Sequence, residues 1–324
     1  MKKRAILFLI SFSLIAALVY ISEPAEIIST LSQAKLGYIG LALLFWFLGS
    51  LIRMGRWDYL LRKTGLEVKF PALLKYYITG MAVSNLSPAK TGDPVRAVFL
   101  KKLESKSFSK SLGSVLVERI FDIVTLALIS LVSIWMLAYS SSLVNWLYLA
   151  LTTYAALIFL GIYLVFSKEK FDWFLHGFIS LFSFIPKIKG LEDRVEEFSG
   201  KLRESLRRYR SPWVVFSSLL FSLIVWVVNG LLVKSVFLSL GFSVPLTVVL
   251  AVYSTAVLIG ILTLLPGALG SSEMIQVSLF SVFVALSTST LTSAVLLTRL
   301  ANYFMYVVIG AILLSTMPED LVDL

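Results

Sequence analysis

The chain of 324 residues is 58% hydrophobic and 15% charged, and its mean hydropathy is +0.89. Soluble domains are roughly half apolar and roughly a quarter charged, so this composition excludes an ordinary soluble fold. The formal charge of +10 would suit nucleic acid, but the Lys and Arg residues lie between apolar segments, as in the cytoplasmic loops of membrane proteins. We therefore expect no nucleic-acid partner. Cysteine is absent and His176 is the only histidine, which excludes disulfides, a thiolate nucleophile and a Cys-based metal site.

Uncharged stretches near the length of about 20 residues that a helix needs to cross the hydrocarbon core recur along the chain. They are apolar on all sides, whereas a membrane β-barrel would show short alternating segments. The sequence predicts an all-α polytopic membrane protein with about six full spans and two re-entrant helical hairpins. The uncharged stretches named first are residues 5–21, 37–52, 143–166, 213–233, 246–265 and 300–317.

The basic residues at positions 2–4 place the N terminus in the cytoplasm. Residues 1–35 then form a first helix, retained in the protein, and an outer loop. The second helix returns to a basic cluster that begins with Arg53 and Arg56. The next basic cluster, at residues 101–110, is expected on the same side, so the segment between them has to enter and leave by one face.

Residues 70–100, between these two basic clusters, are predicted to form a re-entrant hairpin, because the two apolar arms are too short to span the membrane. Pro88, Gly92 and Pro94 set the backbone of its tip. Irregular backbone at membrane depth is tolerated only where protein or a water-filled cavity satisfies its polar groups.

The second half begins after a connecting span at 143–166 and a charged, amphipathic cytoplasmic segment at 167–211. Residues 246–285 predict a second hairpin, with a tip at Pro266, Gly267 and Gly270, although two full spans would give the same orientation. A last span leaves the C terminus in the cytoplasm.

A shared order of elements relates the two halves. In residues 36–138 and again in 213–317, a helix leads to a Pro/Gly-rich tip and then to a helix that carries an arginine. The positive-charge rule gives these halves opposite orientations, which predicts inverted repeats. Such repeats are typical of transporters, whose substrate sites lie between them near the midplane.

Ionisable residues within the apolar segments are candidate functional residues, since an unpaired charge inside a membrane is costly. Arg119 and Asp122 are spaced to pair on one helix face. Glu118 points elsewhere, and Glu273 is the expected partner of Arg299. We expect these side chains to line one polar pocket that suits a phosphate-bearing headgroup. The candidate substrate-binding residues are Lys90, Asp93, Arg96, Glu118, Arg119, Asp122, Glu273, Arg299 and Asn302.

Four stretches carry a resemblance to a known family: residues 87–96 around the first tip, 118–122, 266–273 and the helix of Arg299. They resemble the flippase-like transmembrane family found as the N-terminal region of lysylphosphatidylglycerol synthetases, the multiple peptide resistance factors. Family members usually carry Glu where this chain has Asp93. The resemblance implies movement of a phospholipid or polyprenyl-linked lipid between leaflets, with the tips and the named charges around the headgroup. It does not imply aminoacyl transfer.

The sequence thus favours a lipid flippase in the cell membrane, with anionic or phosphate-bearing lipids as partners, no catalytic residues, no metal and no cofactor. A homo-oligomer is compatible with it. Two alternatives stay open: a membrane enzyme acting on a lipid-linked substrate, such as a transferase or phosphatase, and a non-transporting assembly subunit. An enzyme would have to build its catalyst from Asp93, Glu118, Asp122 or Glu273.

Overall fold

The computed structural model describes residues 2–88, 91–138, 149, 152–156, 159–160, 201–202 and 204–318. Over these residues the protein is helical and holds no β-strand, in agreement with the predicted all-α class. The helices are α1 (Lys2–Ile21), α2 (Pro24–Ser32), α3 (Leu36–Lys63), α4 (Phe70–Leu86), α5 (Val95–Glu104), α6 (Phe108–Ala138), α7 (Pro212–Ser239), α8 (Leu246–Leu262), α9 (Ser271–Phe283), α10 (Thr288–Arg299) and α11 (Met305–Leu314). A π-helical turn, Leu300–Phe304, joins α10 to α11 without a break.

Four helices in the described part of the chain are long and apolar enough to cross a membrane: α3, α6, α7 and the continuous α10–α11. The segments Leu9–Ile21 and Pro24–Ser32 make a fifth if this pair, bent by 83°, is one span. Large apolar side chains such as Phe47, Trp135 and Phe216 are exposed along these helices, as lipid-facing residues are. The chain is a membrane protein, and its described residues hold four or five candidate spans.

The expectation of about six spans is met only in part. The predicted span at residues 143–166 and the predicted cytoplasmic segment at 167–211 lie largely outside the described residues. The stretch at 246–265, predicted as the first arm of the second hairpin, forms α8 with 17 residues, or about 25 Å at 1.5 Å per residue. That length falls short of the roughly 30 Å of hydrocarbon.

Two further expectations are corrected. The predicted outer loop after the first helix holds α2, which begins at Pro24, a residue suited to the first helical turn. The second helix does not end at Ile52 but continues as α3 to Lys63. Arg53 and Arg56 are therefore buried helical residues rather than members of a cytoplasmic cluster.

Two pairs of short helices form hairpins. The first hairpin consists of α4 and α5, and the second of α8 and α9. At the second tip, Gly267 and Gly270 have φ values of 55° and 82°, which side chains strongly disfavour. At the first tip, a Cβ on Gly92 would lie 2.7 Å from the carbonyl oxygen of Val83. Both tips thus depend on glycine for a close turn of the backbone.

The packing of the helices crosses between the two halves of the chain. Helix α3 packs along α7, α4 packs against α11, and α8 packs against α6. Gly310 makes the second of these contacts close, since a Cβ there would lie 2.4 Å from the Cβ of Ala82. Each hairpin therefore rests on a long helix of the other half. The largest core cluster lies at these crossings and includes Trp57, Tyr77, Phe237 and Phe280.

Candidate functional site

A chain of ion pairs lies among α3, α5 and α6. Arg56 is fully buried and pairs with both Glu118 and Asp122 at 2.7 Å. Glu118 also accepts a hydrogen bond from Arg96, at 2.8 Å. Glu118 therefore does not point away from the other charges, as the sequence suggested, but bridges two guanidinium groups.

Arg119 continues the chain of ion pairs to the first tip. Its guanidinium pairs with Asp93 at 2.5 Å and lies 3.5 Å from Asp122, the neighbour that the helix spacing predicts. The three arginines and three carboxylates of this cluster balance in charge. Buried pairs of this kind gain little net free energy, but removing one partner is costly because it leaves a buried charge.

Arg96 is held between two helices. Its guanidinium lies 5.0 Å from the ring centroids of both Trp57 and Tyr77, a cation–π arrangement. A Cβ on Gly80 would lie 2.2 Å from the Cγ of Arg96, so the arginine stem occupies the space that this glycine leaves. Arg96 is fully buried and is therefore fixed in place rather than available at a surface.

A separate ion pair lies beside the second tip. Arg299 pairs with Glu273, which confirms the partner predicted from the sequence. The same guanidinium donates to the carbonyl oxygens of Gly267 and Ala268, at 3.3 and 3.4 Å. Arg299 thus stabilises the turn of the tip and neutralises the buried Glu273 on α9.

The two tips meet. Pro88 and Pro266 form an isolated antiparallel β-bridge, and the hydroxyl of Tyr303 donates to the carbonyl oxygen of Asn85 at 2.8 Å. Tyr303 belongs to the π-helical turn, which adds a residue to one helical turn. A Cβ on Gly267 would lie 2.3 Å from the ring of Tyr303, so this ring lies directly against the second tip.

Next to the meeting point lies a cavity of about 100 Å³. Arg53 on α3 and Arg299 on α10 both line it, together with apolar and aromatic side chains. The amide of Asn302 donates to Asn229 at 3.2 Å and to the hydroxyl of Tyr253 at 3.0 Å. The polar lining is completed by Asn85, Ser272, Gln276, Thr298, Tyr303 and Tyr306.

The structure places the predicted site residues in two groups instead of the one pocket expected. Arg299 and Asn302 line the cavity, and Glu273 lies behind Arg299. Asp93, Arg96, Glu118, Arg119 and Asp122 form the buried ion-pair chain and are not among the cavity-lining residues. The tip residues Pro88, Gly92, Pro94, Pro266, Gly267 and Gly270 lie in the two hairpin turns. Lys90 lies outside the described residues.

Sequence reasoning missed Arg53, Arg56 and Trp226. The indole of Trp226 donates to Asp122 at 3.3 Å and also lines the cavity. The arginines were assigned to a cytoplasmic cluster because several Lys and Arg residues follow them. Their spacing of three positions on a helix that continues to Lys63 was the signal available in the sequence.

No group of three or more His, Cys, Asp or Glu residues that could hold a metal ion occurs among the described residues. The carboxylates of the two ion-pair groups, Asp93, Glu118, Asp122 and Glu273, are already paired with arginines. The arrangement therefore provides guanidinium and amide donors for an anionic ligand, held beside a turn of exposed backbone.

Comparison with known proteins agrees with the resemblance noted in the sequence. Relatives named UPF0104 membrane proteins occur in Methanothermobacter thermautotrophicus, with 27% identity over 99% of this chain and 98% of the relative, and in Pyrococcus horikoshii, with 27% identity over 96% of each. A glycosyltransferase of Haloferax volcanii is 29% identical over 105 residues, which cover 32% of this chain and 17% of that protein.

The family model described as the lysylphosphatidylglycerol synthase TM region matches residues 6–310, nearly the whole chain. The hairpins, the tips and the ion pairs all lie within the matched residues. The protein belongs to the family of the lysylphosphatidylglycerol synthase transmembrane region.

Proposed function

We propose that this protein is a lipid flippase that moves a phosphate-bearing lipid between the leaflets of the cell membrane. The observation that carries the proposal is the cavity at the meeting point of the two tips, lined by Arg53 and Arg299. Guanidinium groups bind phosphate with paired hydrogen bonds. The apolar and aromatic lining beside them suits the start of the acyl or polyprenyl chains. Membrane lipids with an anionic headgroup are thus the proposed partners.

The two halves are proposed to be inverted repeats, each with a re-entrant hairpin. A constant offset of 180 positions relates Trp46 to Trp226 and Gly80 to Gly260. The same offset relates Asp93, Arg119 and Asp122 to Glu273, Arg299 and Asn302. It also matches the elements: α3 with α7, α4 and α5 with α8 and α9, and α6 with α10–α11.

The crossed packing supports this symmetry. Helix α3 packs on its own counterpart α7, and each hairpin packs on the counterpart of the helix that follows it. Contacts of this kind are those of a pseudo-two-fold axis, as at the interface of a symmetric dimer. Repeats of opposite orientation can expose one central site to each side of the membrane in turn. With this arrangement both termini lie in the cytoplasm.

A transport assay tests the proposal. The purified protein is reconstituted into liposomes that carry fluorescent phosphatidylglycerol or polyprenyl phosphate analogues, and an impermeant quencher reports the fraction in each leaflet. We expect Arg299→Ala to slow equilibration at least about 10-fold, because it removes a charged donor from the cavity. Unfolding of the same variant is measured in parallel, because Glu273 loses its partner and the protein loses stability. Arg62→Ala is the matched control, since Arg62 lies at the exposed end of α3 and pairs with Asp58 outside the cavity.

Equal rates with and without the protein, for every analogue, would contradict the flippase proposal. An enzyme acting on a lipid-linked substrate is the second candidate, favoured by the segment shared with the Haloferax volcanii glycosyltransferase. It predicts a new lipid species, which mass spectrometry of the same liposomes would detect. A flippase changes the distribution of the lipids and leaves their masses unchanged.

A further inference from the structure

Arg53 lies where α3 passes the cavity and is only 8% exposed. One guanidinium nitrogen lies 3.4 Å from the hydroxyl of Tyr306, a long hydrogen bond. The group lies over Trp226, with 5.4 Å between its central carbon and the ring centroid. The hydrogen bond to Tyr306 is the one that its side chain makes to an acceptor among the described residues, and Arg53 lines the cavity.

Arg53 differs from the other arginines of the central region in having no carboxylate in direct contact, since Asp122 acts on it only at longer range. Within the described residues, no carboxylate oxygen lies within 4.0 Å of its guanidinium. The other four guanidinium groups are matched by four carboxylates. Arg56, Arg96 and Arg119 pair with Asp93, Glu118 and Asp122, and Arg299 pairs with Glu273.

A buried charge without a partner is costly in a membrane protein and marks a site where a ligand supplies the opposite charge. The cavity holds further unsatisfied atoms. The Oε1 of Gln276 and the Oγ1 of Thr298 are buried without a hydrogen-bond partner. The amide nitrogen of Gln276 donates to the carbonyl and hydroxyl oxygens of Ser272, which leaves its oxygen to accept a hydrogen bond from a ligand.

We infer that Arg53 binds the ligand of this cavity, and that the bound group is a phosphate carrying one net negative charge, as the phosphodiester of a phospholipid does. This inference rests on the proposed function and specifies its substrate class. The planar fork of the guanidinium matches two oxygens of a phosphate. The central region has one guanidinium group more than it has carboxylates among the described residues, which matches one negative charge on the ligand.

The relation between the two halves gives a second reason to assign ligand binding to Arg53. The position related to Arg53 by the offset of 180 is Val233 on α7. The additional arginine is thus present in one half alone, whereas each half has an acid–arginine pair. The pair is Asp93–Arg119 in the first half and Glu273–Arg299 in the second. Arg53 is a residue of ligand specificity, while the duplicated pairs hold the two hairpins in position.

Calorimetric titration of the full-length protein in uncharged detergent tests this assignment. The probes are dihexanoyl phosphatidylglycerol, dihexanoylglycerol, which lacks the phosphate, and inorganic phosphate. We expect Arg53→Gln to weaken phosphatidylglycerol binding about 10- to 100-fold, the range for losing a hydrogen bond to a charged group. Arg53→Lys keeps the charge but lacks the planar fork, so we expect a loss of affinity smaller than that of Arg53→Gln. Arg62→Gln, at the exposed end of the same helix, should leave binding unchanged.

Thermal unfolding separates binding from folding. Arg53→Gln removes a buried charge with no carboxylate in direct contact, but also its contacts with Tyr306 and Trp226, so the lipid-free variant should unfold at a temperature close to that of the wild type. Tighter binding of phosphatidylglycerol than of inorganic phosphate would identify a lipid headgroup as the ligand. Equal binding of the two would identify a soluble phosphate. Either result supports a phosphate site at Arg53. Unchanged phosphatidylglycerol affinity in Arg53→Gln, or equal binding of dihexanoylglycerol, would overturn it. A protein that binds the lipid through Arg53 without moving it would refute transport alone.

Discussion

Arg299 pairs with Glu273 at the same sequence separation, 26 positions, at which Arg119 pairs with Asp93. Because Glu273 is fully buried, Arg299→Gln should destabilise the protein by about 3–5 kcal/mol, through the charge left unpaired. The double variant with Glu273→Gln should recover part of this loss. A double-mutant cycle by denaturant unfolding in mixed micelles is expected to give a coupling energy of about 1–3 kcal/mol. Additive effects of the two substitutions would show that the ion pair contributes nothing to the free energy of unfolding.

Glu118 bridges Arg56 and Arg96 in the buried ion-pair chain. We expect Glu118→Gln to lower the free energy of unfolding by about 3–5 kcal/mol, because both guanidinium groups lose their shared acceptor charge. Glu204→Gln is the matched control. Glu204 is 74% exposed and lies 3.9 Å from Arg208, so its loss should change stability by less than about 1 kcal/mol. Equal effects of the two variants would contradict the buried chain.

Gly310 brings α11 against α4 of the other half. Gly310→Ala would place a methyl group 2.4 Å from the Cβ of Ala82 and 3.1 Å from the carbonyl oxygen of Ile78, so we expect a loss of about 1–3 kcal/mol from overpacking. Gly37→Ala is the control, since no atom lies within 4 Å of its Cβ position. A Gly310→Ala variant as stable as Gly37→Ala would show that these helices do not pack closely.

The bridge between Pro88 and Pro266 offers a direct test of the meeting of the tips. Residues paired across an antiparallel bridge have Cα atoms about 4.5–5.5 Å apart, within the range of a disulfide. The chain has no cysteine, so Pro88→Cys with Pro266→Cys has no competing thiols. We expect this double variant to cross-link on oxidation, as measured by a gel shift after cleavage between residues 167 and 200.

If the tips separate during transport, the cross-link should stop lipid movement and a reductant should restore it. Each single variant serves as a control for the loss of one proline. Failure of the oxidised double variant to cross-link would contradict the contact between the hairpins. Transport that continues through the cross-linked form would show that the tips move as one body.

Sequence reasoning recovered the helical class, the two Pro/Gly tips and the pairing of Arg299 with Glu273. These follow from local chemistry: apolar length, residues that break helices, and the cost of an isolated charge among leucines. It misplaced Arg53 and Arg56 because the positive-charge rule counts basic residues without distinguishing buried ones from solvated ones. The sharing of Glu118 by two arginines depends on how α3, α5 and α6 cross, and no local pattern encodes that.

The packing of α4 against α11 also governs the order in which the protein can be assembled during synthesis. The ribosome completes α4 more than 200 residues before α11, and helices inserted early have to wait in the membrane for partners made late. The polar turn at Pro88 thus lacks its contacts with Pro266 and Tyr303 for much of translation. We expect chaperones or the insertion machinery to shield this turn until the last helix arrives.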